Sequence, residues 1–291
     1  MKKGMKLYMK MIAIAGIFIL GVFVVQPALA ADQEKAVPEA REAQNQPEEV
    51  EGSKPSAEMN VGFLSQYVWR GQALSRDSLV IQPELTLGWY GFSLDIWSNL
   101  DTNKYDVSTN SGSGRAKVTE TDITFAYAHE FGPLAVEGGY IYYALDGAED
   151  SQEFYLSLGL DVLLSPTFTV YREFIAFPNW YLNFGIGHSF ELYKNVGLDL
   201  GASVSYLISD NNDYYYDPDD PTDGYSGFFD GQFSVGIPIT VGKYFTITPT
   251  GTLSFPVGGD ANDLLKGLNQ AAIGKDDATI VYGGVVVTFA F

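Results

Sequence analysis

Residues 79–100 read LVIQPELTLGWYGFSLDIWSNL. Leu79, Ile81, Leu85, Leu87 and Trp89 alternate with Gln82, Glu84, Thr86 and Gly88. After Tyr90-Gly91 the rhythm resumes: Phe92, Leu94, Ile96 and Leu100 alternate with Ser93, Asp95, Trp97 and Asn99. A period of two sends alternate side chains to opposite faces of a pleated strand. A two-residue link ending in Gly suits a tight antiparallel hairpin. Each arm has about ten residues, the length a tilted strand needs to cross a bilayer. Strands of soluble sandwiches are shorter, roughly 5–6 residues, and carry more charge on the outer face.

The same reading extends in both directions. From Glu58 to Phe291 it predicts twelve strands, the first through Met59, Phe63, Tyr67 and Trp69, the seventh (Phe168, Val170) the weakest. The pattern also places Phe229, Phe233, Val235 and Ile237 on one face of the tenth. Alternate connections are very short: 90–91, 131–133, 164–166, 193–195 and 241–243. The others are longer and polar, notably 101–117, 209–226 and 256–277. Short turns on one side and long loops on the other are the signature of a transmembrane antiparallel up-and-down β-barrel, with periplasmic turns and extracellular loops. The fold class expected is therefore all-β, and an even strand count puts both barrel ends in the periplasm. Trp69, Trp89, Tyr127, Tyr142, Trp180, Tyr206 and Phe291 fall near ends of outward-facing runs, where interfacial girdles want amphipathic rings.

Composition sets the limits. The 291 residues carry a net charge of −19, which argues against nucleic-acid binding. There is no Cys, so disulfides, thiolate metal sites and a Cys nucleophile are excluded. Lys2, Lys3, Lys6 and Lys10, the apolar run after Met11 and Ala28-Leu29-Ala30 read as a signal peptide over 1–30. Residues 31–57 are rich in Glu, Ala, Gln and Pro without an aromatic, and read as an acidic disordered periplasmic tether. The barrel is expected over 58–291.

The interior-facing set carries the chemistry. Strand parity sends Glu84, Asp95, Asp122, Glu137, Asp161, Asp199 and Asp230 toward the lumen, with Arg70 and Arg172 as the inward bases. Excess acid in a confined wet lumen favours cations. His129 and His188 fall on the outward set and read as interfacial anchors. No nucleophile elbow, zinc-protease motif or phosphate loop is present, so neither an enzyme, a cofactor nor a metal is expected. The loop over 210–223 holds six acids without calcium-loop spacing and reads as solvated. Residues 260–272, DANDLLKGLNQAA, have helical spacing and could fold into the mouth.

Two resemblances follow. The last strand, with Tyr282, Gly284, Val287, Phe289 and terminal Phe291, resembles the C-terminal assembly signal of bacterial outer-membrane proteins. That implies recognition by the barrel-assembly machinery. Residues 60–72, NVGFLSQYVWRGQ, followed by Gln82-Pro83-Glu84, are similar to the opening of the TorF-type putative porins. Their first strand runs into a Tyr-x-aromatic-Arg-Gly element. The resemblance implies a small outer-membrane barrel and leaves its cargo open.

Together these readings predict an outer-membrane, porin-like barrel for passive diffusion of small polar or cationic solutes, in contact with bilayer and lipopolysaccharide. The alternative is a non-conducting barrel serving as a surface anchor or adhesion protein. Solute and oligomeric state stay open. If Phe291 is an assembly signal, Phe291→Ala should lower the amount of protein reaching the outer membrane and raise its degradation in the periplasm. Fractionation and immunoblotting check this, and wild-type surface abundance would count against it.

Overall fold

The structure, a computed structural model, describes residues 55–290. The expected signal peptide, the tether up to residue 54 and Phe291 lie outside the described residues.

The strands are β1 (Ser56–Leu64), β2 (Val80–Trp89), β3 (Phe92–Asp101), β4 (Lys117–Phe131), β5 (Leu134–Leu145) and β6 (Ser151–Leu160). They continue as β7 (Thr167–Glu173), β8 (Asn179–Tyr193), β9 (Val196–Ser209), β10 (Ser226–Gly236, resuming over Ile239–Val241), β11 (Phe245–Pro256) and β12 (Ile280–Ala290). Each pairs antiparallel with its neighbours in sequence, and β12 returns to pair with β1 from Glu58↔Ala290 to Leu64↔Gly284. The sheet is thus a closed twelve-stranded barrel. β1 starts two residues before the expected boundary, at Ser56. Pro238 interrupts β10 because it has no N–H to donate, yet both parts keep the same neighbours, β9 and β11.

The two faces differ as the alternation predicts. Met59, Phe63, Leu85, Leu87, Trp89, Phe125, Phe154, Leu156, Phe184 and Phe233 are exposed on the outside. Gln82, Glu84, Thr86, Asp95, Trp97, Asn99, Asp122 and Thr124 are buried on the inside. An apolar outer wall around the whole sheet suits hydrocarbon, and closure leaves no edge there to be solvated. No described helix is long and apolar enough to span a membrane. His129 and His188 lie on the outer set, each edge-on to the ring two residues on, Phe131 and Phe190.

The turns explain themselves locally. Tyr90 (φ 52°) and Gly91 (φ 83°) both take left-handed conformations between β2 and β3. Positive φ at both central residues makes the turn twist with the strands it joins.

Two expectations about register are corrected. β1 was expected to continue through Tyr67 and Trp69, but it ends at Leu64. Tyr67 instead donates its N–H to Ser75 Oγ (2.7 Å), and Leu74 N–H donates to the Tyr67 carbonyl (2.9 Å). Val68–Trp69 and Gln72–Ala73 then form a miniature hairpin whose tip is Arg70 (φ 47°) and Gly71 (φ 78°). This hairpin folds into the barrel. Trp69 therefore belongs to the interior, edge-on to Tyr143 at 6.3 Å, rather than to an outer girdle. The second correction is Phe229, expected outside and found fully buried. The β9–β10 register shifts between Val204 and Tyr206, so Phe229 and Asp230 together face the lumen and Phe228 turns outward. An extra residue in one strand resets the alternation beyond it.

The packed core sits inside the barrel at the end that carries the long loops, called the loop end below. There α1 (Gly259–Ile273) forms where the helical spacing predicted it. Gly274 ends it in a left-handed conformation, its N–H returning to the Gln270 carbonyl. Leu264, Leu265 and Leu268 pack against Tyr143, Tyr155, Tyr171 and Tyr181 of the wall and Tyr215 and Tyr225 of the loop between β9 and β10. Purified protein in detergent should migrate differently on a gel before and after boiling. Identical migration of a correctly folded sample would contradict closure.

Candidate functional site

The site is built at the tip of the inner hairpin. Positive φ at Arg70 and Gly71 lets the chain reverse in two residues and project Arg70 across the lumen. Gly71 has no space for a side chain: a Cβ there would come within 3.0 Å of Asp230 Cβ and of Leu265 Cδ1. Arg70 Nη2 donates to both oxygens of Glu153 on β6, at 2.9 and 3.0 Å. Tyr143 on β5 donates to the same carboxylate at 2.6 Å. The guanidinium carbon lies 4.5 Å from the ring centre of Trp69, 4.6 Å from Tyr171 and 4.2 Å from Tyr181. A weakly hydrated planar cation is suited to such ring faces. Both members of the pair are buried, with side-chain exposures of 8% and 0%.

Other loops hold the hairpin down. Gln72 donates to Tyr215 and accepts from Tyr214. Ala73 N–H donates to Asn269 Oδ1 on α1 at 2.8 Å. Asn269 in turn donates to the Asp277 carbonyl (2.6 Å), which ties α1 to the segment leading into β12.

The remaining interior acids line the wall, mostly on β2 to β6. Asn60 donates to Glu84 (3.0 Å), Thr86 to Asp95 (2.7 Å), and Tyr155 to Glu137 (2.7 Å). Asp122 is buried beside Glu120, which accepts from Tyr67 at 3.0 Å. On the opposite wall Asp199 is buried on β9, and Asp230 accepts from Tyr181 (2.8 Å). Among the described residues Arg70 is the only buried base.

Two of the expected lumen charges stand elsewhere. Arg172 lies on the outward set of β7, since Tyr171 and Glu173 on either side are the buried ones. It forms a bidentate pair with Asp210 (2.9 and 2.5 Å) and stacks over Trp180 at 5.1 Å. An inward-facing arginine at that position would break the strand's parity. Asp161 lies one residue past β6, exposed in the short turn, where its N–H donates to the Pro133 carbonyl. It stands at the rim rather than in the wall.

Asp101, Glu120, Glu153 and Glu173 are buried acids that sequence reading left out. Each continues the parity of its strand by one step toward the loop end, two residues from Asn99, Asp122, Tyr155 and Tyr171, so counting one step further finds them. Glu173 organises its own loop, accepting the N–H groups of Ile175, Ala176 and Phe177 at 2.8–2.9 Å and the Ser151 hydroxyl.

The acidic loop over 210–223 divides by residue type. Its tyrosines Tyr214 and Tyr215 turn inward, while Asp219, Asp220 and Asp223 are exposed. Asp217 and Asp220 accept N–H groups of their own loop, from Asp219 (2.9 Å) and Thr222 (3.1 Å). No group of metal-ligating side chains occurs among the described residues. At the rim, hydrogen bonds from Lys104 and Lys117 hold the Asp146 carboxyl below its ordinary range, and Arg172 does the same for Asp210.

No family model matches the chain, and no curated protein matches it. Solved structures do. The chain is similar to the NanC porin with a TM-score of 0.50 and 12% identity, over 80% of this chain and 98% of that one. It is also similar to an outer-membrane channel from Pseudomonas putida F1 with a TM-score of 0.46 and 8% identity, over 86% and 100% of the two chains. At 12% identity the likeness to the NanC porin is one of fold alone.

Removing one partner of a buried ion pair strands the other charge. Arg70→Met should therefore destabilise the folded barrel by about 3–5 kcal/mol, measured by urea unfolding in lipid vesicles. The double variant Arg70→Met/Glu153→Met should recover most of the loss. A single variant no less stable than the double would show that the pair is not desolvated.

Proposed function

We propose that this chain is an outer-membrane, porin-like barrel that passes small polar and cationic solutes by passive diffusion. The observation that carries the reading is the charge imbalance inside a closed barrel with an apolar wall. Glu84, Asp95, Glu120, Asp122, Glu137, Glu153, Asp199 and Asp230 are buried inward, against Arg70 alone among the described residues. A barrel kept merely as a stable core would be served by uncharged side chains, because buried carboxylates cost free energy unless paired or hydrated. Carboxylates in a water-filled lumen keep their charge and attract cations. The fold shared with a porin is consistent with this use.

The loop end sets the resistance. The Arg70 hairpin, α1 and the tyrosine loop fill the lumen there, so passage requires these elements to yield. On this reading the loops are extracellular, the turns periplasmic, and the last strand is read by the assembly machinery.

In planar bilayers the purified protein should give discrete conductance, with a reversal potential in a KCl gradient showing preference for cations. The preference should fade as screening shortens to about 3 Å at 1 M salt. Replacing Asp95, Asp122 and Asp199 by Asn should lower the cation-to-anion permeability ratio. An open channel with unchanged reversal potential would refute the role of the acids, and absence of conductance would refute passage itself.

A further inference from the structure

We infer that the aromatic and acidic pocket now filled by Arg70 is a binding site for guanidinium-bearing solutes, and that Arg70 is its tethered occupant. This rests on the channel reading and deepens it by naming a solute class.

The wall of the pocket and its occupant come from different parts of the chain. Tyr143, Glu153, Tyr171 and Tyr181 belong to four consecutive strands, β5 to β8, and are set by the barrel itself. Arg70 arrives on a two-residue hairpin tip from the loop between β1 and β2. The wall side supplies what a guanidinium needs: a carboxylate contacted at 2.9 and 3.0 Å, and two ring faces at 4.2 and 4.6 Å. Tyr181 donates to Asp230, which fixes its ring and leaves the face available, and Tyr143 donates to Glu153, which orients the carboxylate. Ring faces attract any cation, while a carboxylate selects for donors, and together they favour a flat, weakly hydrated cation over a hydrated alkali ion.

The position is also suited to capture. Glu153 is the third residue of β6 counted from the loop end, and Glu173 closes β7 at the same end. A solute entering from the loops would meet this carboxylate before the acids deeper in the wall. The hydrogen bonds that seat Gln72 and Ala73, to Tyr214, Tyr215 and Asn269, all come from loop or helix residues. The barrel holds the base of the hairpin, through Tyr67 to Glu120 and Trp69 against Tyr143. When those loops lift, Arg70 leaves with them and the wall side remains. An incoming guanidinium then replaces one cation by another, with no carboxylate left bare.

The test uses the full chain folded in detergent, with argininamide as the probe and citrullinamide, whose isosteric ureido side chain carries no charge, as the control. Arg70→Ala opens the pocket. It should bind argininamide about tenfold or more tighter than the wild type, by fluorescence titration or calorimetry, and should show no comparable gain for citrullinamide. Adding Glu153→Gln or Tyr171→Leu should cancel the gain. If Arg70→Ala fails to fold, argininamide in the refolding buffer should restore its heat-modifiable band. Equal affinity of wild type and Arg70→Ala overturns the inference. So does equal gain for citrullinamide, a gain that survives Glu153→Gln, or failure of argininamide to rescue a misfolded variant. Bilayer current separates the two readings. Binding without current in either protein upholds the pocket and overturns passage, whereas current without binding does the reverse.

Discussion

A sheet that faces hydrocarbon has no water to take up the hydrogen bonds of its edges, so it closes or it does not form there. In this chain closure is made by seven paired positions between β1 and β12, Glu58↔Ala290 to Leu64↔Gly284. Once the first strand is bonded to the last, every strand has two neighbours and every side chain is assigned to one of two solvents. The outer set is apolar, as a wall against hydrocarbon requires. The inner set meets the lumen and can hold groups that lipid would not tolerate. The acids of β2 to β6 exist at these positions because closure gives them a polar side.

That permission creates a second problem, because a narrow lumen full of carboxylates must hydrate them or pair them. The chain does both kinds of thing at different heights. Toward the turns, hydroxyls and amides such as Thr86 and Asn60 donate to Asp95 and Glu84. Toward the loops, a guanidinium enters from a hairpin and satisfies Glu153, with tyrosine rings around it. The same height is where α1 and the loop tyrosines pack. The loop end is therefore where the apolar cluster and the elements that are not strands coincide. Elements held by loops and a helix are the ones that can rearrange while the barrel stays intact.

The wall residues were the easier part to read. Alternation over residues 79–100 is long and broken at few positions, and a one-residue slip would turn most of its apolar side chains inward. Parity sends Glu84, Asp95, Asp122, Glu137, Asp199 and Asp230 inward, and all six are buried. Asp101, Glu120, Glu153 and Glu173 share that parity one step nearer the loop end and are buried too, whereas the inward expectation for Arg172 runs against the parity of its own strand. Phe229 was misread because the β-bulge opposite Ser205 resets the phase, and nothing in the apolar pattern marks it.

By itself, then, the sequence determined the strand count, the closed antiparallel order, the short and long sides, and a helix over the segment 260–272. These follow from local periodicity and turn chemistry, which act within a dozen residues. Only the tertiary structure decided that Tyr67-Val68-Trp69-Arg70-Gly71 leaves the wall and turns inward. In sequence those residues resume the alternation of β1 after a single polar exception, Ser65. What removes them is a set of contacts across the barrel, to Glu153, Tyr171, Tyr181, Tyr215 and Asn269, from positions 80 to 200 residues away. Such contacts exist only after the sheet has closed, and no pattern along the chain encodes them.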